Sequence, residues 1–136
     1  MKIEDYHKII EDIYDTNLEA DSIADSRRIL VELTEKEMIL KDLKKSVRRD
    51  IKNIQMAYLE RKRQINTDYA GGRSPGVVSR FRGKSKIKEL KKLDKERDES
   101  LKDYEEVKYL VDDLILQIEK AKEPLNNYIK KKLFGV

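Results

Sequence analysis

The only histidine of the chain, His7, closes the segment Glu4-Asp5-Tyr6-His7. Glu-x-x-His is the helical spacing with which carboxylate-bridged di-iron bundles present two ligands on one face, but such a centre needs two copies of the motif. With no cysteine and no second histidine, a structural zinc site also lacks ligands. His7 therefore reads as a surface side chain. Arg82-Gly83-Lys84-Ser85 ends like a phosphate-binding loop. The pattern G-x-x-x-x-G-K-[ST] requires a glycine where Val78 stands, and an apolar strand ahead of it that the sequence does not supply. Carboxylates are abundant, as at Glu11, Asp12 and Asp15 or Asp112 and Asp113, yet acid and base roles need two groups in contrasting environments inside a pocket. Glu32 with Lys36, Glu37 with Lys41 and Asp98 with Lys102 fit helix-surface pairs instead. The expectation is a protein without enzymatic activity, cofactor or metal.

What remains is charge. The chain carries 31 basic and 27 acidic residues, a net charge of +4, but the distribution is uneven. Residues 1–46 hold 8 basic and 12 acidic side chains, residues 47–92 hold 14 and 4, and residues 93–136 hold 9 and 11. The middle third is therefore at +10 between flanks of −4 and −2, and such asymmetry points to an interaction surface. The candidate phosphate contacts are Arg61, Arg63, Arg73, Arg80, Arg82, Lys84, Lys86, Lys88 and Lys91, with Phe81 as a face for unpaired bases. Arg61 and Arg63 are also explained by a helix C-terminus, where the dipole favours cations. The lysines after Gly83 are not, because they fall at a predicted helix N-terminus and repel one another at steps of four. No helix-turn-helix, zinc-finger or RNA-recognition signature accompanies them, so binding would be to DNA or RNA phosphates without base specificity. An anionic membrane is disfavoured, since few large apolar residues accompany the arginines.

The elements that would position these residues are helices. Charged residues make up 43% of the chain and apolar ones 38%, with no tryptophan, and that balance suits exposed helices better than a compact core. Apolar side chains recur at steps of three and four from Ile23 to Ile65, and again from Ile87 to Ile129, where Asp94, Arg97, Lys108 and Lys122 interrupt the seam. The expected fold is all-α: a long antiparallel, coiled-coil-like helical hairpin with a short N-terminal helix, assembled into an oligomeric helical bundle. A single domain, 1–136, would comprise a short helix or overhang (1–15), a long helix (17–66), a Gly/Arg-rich loop (67–83), a long helix (84–123) and a terminal helix or kinked extension (124–134) set off by Pro124. Thr16 to Glu19 reads as a capping box. Pro75 disfavours a helical Ser74, and a reversal centred there makes partner residues sum to roughly 150. It would also gather the basic third at one end.

Ile3, Tyr6, Ile10 and Ile13 form an apolar face that overshoots this register, so they either fold back or meet another subunit. With Val31, Met38 and Leu114 they are the candidate oligomer interface. The expected partners are further copies of the chain and nucleic acid, with no membrane. The rival is a coiled-coil scaffold or protein-interaction module whose basic loop binds no nucleic acid. No apolar signal-peptide core occupies the N-terminal residues and cysteine is absent, which together predict a cytoplasmic location.

Overall fold

The computed structural model describes residues 1–14, 18–70 and 76–135, and the side chains of Ala70 and residues 76–82 are outside that description. The described residues form three helices: α1 (Ile3–Tyr14), α2 (Ile23–Ala70) and α3 (Gly76–Phe134). The chain divides into two compact units, one of Met1–Arg48 with Glu106–Val136 and one of Arg49–Glu105.

In the first unit, α1 folds back on α2. Lys2 donates its backbone N–H to Asp5 Oδ2 at 3.2 Å, so the first turn of α1 satisfies one of its own orphan donors. Tyr6 Oη donates to Ser46 Oγ at 2.9 Å, and Lys36 Nζ donates to the Ile13 carbonyl at 3.3 Å. These contacts run α1 antiparallel to α2. Tyr6, Ile10 and Ile13 are buried with Ile29, Leu33, Leu40 and Leu43 from α2, and with Val107, Val111, Leu114 and Ile118 from α3. Each such side chain contributes about 1.5–3 kcal/mol of burial. Tyr6, Ile10, Ile13 and Leu114 are thus covered by their own chain, and are not free to form an interface with a second copy. Ile3 is half-buried at the edge, whereas Val31 and Met38 are exposed.

Two polar pairs set the register of α2 on α3 in this unit. Lys122 Nζ donates to Glu37 Oε2 at 2.8 Å, and Lys44 pairs with Asp112 at 2.7 Å. The partners are antiparallel, and their numbers exceed the expected sum of about 150. Helical side chains lean toward their own N-termini, so tips that touch belong to Cα positions further along both helices.

The second unit is a pair of helices. Among its described apolar side chains only Ile65 is buried, while Ile54, Leu93, Leu101 and Tyr104 are half-buried, because two helices cannot enclose a stripe as three can. Tyr58 donates a hydrogen bond to Asp94, and Tyr69 and Ser85 share one at 3.0 Å, which again makes α2 and α3 antiparallel.

The helix ends differ from the sequence expectation. α2 begins at Ile23, capped by Ser22, whose Oγ accepts the Asp25 backbone N–H at 3.1 Å. Of the capping box expected at Thr16 to Glu19, Thr16 lies outside the described set and residues 18–19 are not helical. Residues 67–70 belong to α2 and residues 76–83 to α3, so the seventeen-residue loop expected between them is replaced by helix at both ends. Residues 71–75 are outside the described set. The reversal expected at Ser74-Pro75 lies among them. α3 continues through Pro124 to Phe134 without a break. It stops at Gly135, whose φ of +66° and N–H bond to the Lys131 carbonyl at 2.9 Å make a left-handed cap that other residues adopt only with strain.

Candidate nucleic-acid interface

The new helix bounds change the electrostatic argument for the basic residues. Lys84 lies more than two turns inside α3, and Arg63 lies almost two turns before the end of α2, whose last turn holds no basic residue. Dipole effects fade within the terminal turn, so they neither explain Arg61 and Arg63 nor oppose Lys84 and Lys88. What survives is mutual repulsion. Lys84, Lys88, Lys91 and Lys95 follow one another at steps of four, three and four on the face of α3 opposite Leu90, Leu93 and Arg97. All four are exposed, as is Lys92 beside them, and none forms an ion pair among the described residues. The stripe spans about 16 Å.

The other candidates do not form one patch with it. Arg61 sits in a hollow between the helices with Ile65, Leu93, Glu89 and Glu96, and donates to Gln64 at 3.4 Å. Lys92 lines the same hollow, so two cations and two carboxylates share it. Arg63 is two residues on and so points to the far side of α2, beside Met56 and Leu59. Lys86 is half-buried. Arg80, Phe81 and Arg82 lie on the first turns of α3 with their side chains outside the description, and Arg73 is outside it altogether. Lys95 was not among the sequence candidates. The signal for it was present, since it lies four residues beyond Lys91, but a count that stopped at residue 92 divided the stripe.

Of the polar residues that interrupt the α3 seam, Asp94, Arg97 and Lys122 have partners. Asp94 accepts from Tyr58, and the Arg97 guanidinium stacks over the Tyr58 ring at 4.2 Å from its centroid while pairing with Asp98 at 3.1 Å. The Asp94 carboxylate, holding the phenol proton, pushes Tyr58 above its ordinary pKa. Asp98 is therefore taken by Arg97, not by Lys102 as expected. Glu32 with Lys36 at 3.4 Å and Glu37 with Lys41 at 2.8 Å form as expected, but Lys36 and Glu37 are mostly covered rather than on the surface. The hydrogen bond from Lys122, then that from Lys41, holds the Glu37 carboxyl below its ordinary range. Among the described residues no group of three or more His, Cys, Asp or Glu is placed to hold a metal ion, and no helix is long and apolar enough to cross a membrane.

No family model, no curated protein and no solved structure matches this chain.

Proposed function

We propose that this chain is a non-enzymatic helical protein that binds DNA or RNA through phosphates, without reading base sequence, by the exposed lysine stripe of α3. The observation that supports the reading is the unpaired, aligned row Lys84, Lys88, Lys91 and Lys95. Like charges at these spacings weaken a helix, and local choices that oppose stability are expected at functional positions. A duplex presents roughly nine phosphates over the 16 Å of the stripe, more than enough to engage four ammonium groups. Lysines on a helix face make point-charge contacts, which suits backbone binding rather than bidentate base readout.

The test is titration of labelled single- and double-stranded oligonucleotides of unrelated sequence at low salt, with wild type and with Lys84, Lys88, Lys91 and Lys95 all changed to Gln. Binding of wild type to several sequences with similar affinity, lost in the variant, is the expected result. No binding by wild type, or equal binding by both proteins, refutes the reading and leaves a protein-interaction module.

A further inference from the structure

A separate surface carries a second inference. On the outer face of α2, Lys52, Met56, Leu59, Arg63 and Asn66 succeed one another at steps of four, three, four and three, all exposed, with Met56 and Leu59 at 57% and 60%. They point away from Ile54, Tyr58 and Ile65, which face α3. Two shallow hollows lie side by side along this face. One is lined by Met56, Leu59, Glu60 and Arg63, and the next by Leu59, Lys62, Arg63, Asn66 and Thr67. Four residues at those offsets are the hole that receives one knob of a neighbouring helix in a coiled coil.

The outer face of α3 offers matching knobs. Tyr109, Asp112, Leu116, Glu119 and Glu123 repeat at steps of three, four, three and four, all exposed, with Tyr109 at 80% and Leu116 at 48%. Written antiparallel to the α2 row, the steps coincide at every layer. Lys52 meets Glu123, Met56 meets Glu119, Leu59 meets Leu116, Arg63 meets Asp112 and Asn66 meets Tyr109. In this register Leu116 enters the hollow floored by Met56 and Leu59, and Asp112 enters the one that holds Lys62 and Arg63. Asp112 Oδ1 is held by Lys44 of its own chain, and Oδ2 remains for Arg63.

We propose that a second copy of this chain docks here, the outer face of α3 in one copy seated antiparallel on the outer face of α2 in another. The apolar pair Leu59–Leu116 lies at the centre, flanked by Lys52–Glu123 and Arg63–Asp112 ion pairs that fix direction and register. Because the two faces differ, the contact is heterologous. It uses no lysine of the α3 stripe and stands independently of the nucleic-acid reading.

Sedimentation velocity over a range of protein and salt concentrations tests it. Wild type self-associates, and association weakens as salt rises. Lys52→Glu with Arg63→Glu makes both faces acidic, Asp112→Lys with Glu123→Lys makes both basic, and each double variant weakens association at least tenfold. Mixing the two double variants restores it, because each altered face then meets its complement. Leu59→Gln, at an exposed position, weakens association by a similar factor with helical content unchanged, which separates the contact from folding. A wild type that stays monomeric, a mixture that fails to associate, or a Leu59→Gln variant that associates like wild type overturns the proposal.

Discussion

Changing Lys88 and Lys91 to Gln takes two charges from the middle of the α3 stripe, and has consequences of opposite sign for binding and for stability. For binding, each cation that neutralises a duplex phosphate contributes about −0.9 to the slope of log affinity against log salt, so four stripe lysines contribute about −3.6, or roughly a 150-fold loss between 50 and 200 mM. With two left the contribution is about −1.8, and the same change of salt costs roughly 12-fold. For stability, the variant relieves the like-charge pairs Lys84–Lys88, Lys88–Lys91, Lys88–Lys92 and Lys91–Lys95. At about 0.2–0.5 kcal/mol each, relief at low salt is on the order of 1–2 kcal/mol. Fluorescence anisotropy with a labelled duplex measures the first, and urea denaturation followed by circular dichroism the second. The expected outcome is a slope shallower by about 1.8 in a protein that is more stable than wild type. An unchanged slope would place the phosphate contacts elsewhere. A shallower slope in a destabilised protein would mean that the lysines act through the fold.

Four further outcomes follow from the geometry. Gly83 lies inside α3 with nothing within 4 Å of a Cβ built on it, so Gly83→Ala raises the urea midpoint by about 0.5–1 kcal/mol of stability. The Ser26 hydroxyl is fully buried without a hydrogen-bond partner among the described residues, and Ser26→Ala stabilises by about 1 kcal/mol in the same assay. Tyr6→Phe removes the bond to Ser46 while keeping the buried ring, and costs about 0.5–1.5 kcal/mol. The Glu37 carboxyl is held below its ordinary 4.5, so its pairing contributes stability fully above that pH and loses it as pH falls further. Lys122→Met therefore flattens the dependence of the denaturation midpoint on pH below 4.5.

The apolar periodicity made the helical class legible, because steps of three and four have no reading as strands. It also marked Tyr6, Ile10 and Ile13 as a face that had to be covered, though the sequence left open whether by this chain or another. The decision lay in long-range polar contacts, Tyr6 to Ser46 and Lys36 to the Ile13 carbonyl, which no local pattern encodes. Helix ends were read less well for a local reason. Ser22 and Asp25 form a cap as good as Thr16 and Glu19 would, and two glycines inside or beside α3 looked like a loop although helical neighbours outweigh about 1 kcal/mol of glycine penalty each. The basic candidates could be counted from sequence but not grouped. Only helix phase puts Lys84 to Lys95 on one face, Arg63 on the outer face of another helix and Arg61 in the hollow beside Ile65 and Leu93. Asp94, Arg97 and Lys122 looked like flaws in the seam and are instead cross-helix polar partners, a distinction that needs the second helix in view.

The docking of α1 has a dynamic corollary. Twelve residues are too few to hold a helix in water, so this segment persists only while its three buried side chains stay seated. Its amide protons should then exchange with deuterium as a group, through one shared opening well below the energy of global unfolding. Each such opening strips cover from Leu40 and Leu43, which lie between Lys36 and Ser46, so the seated N-terminal segment acts as a brake on clumping of the chain.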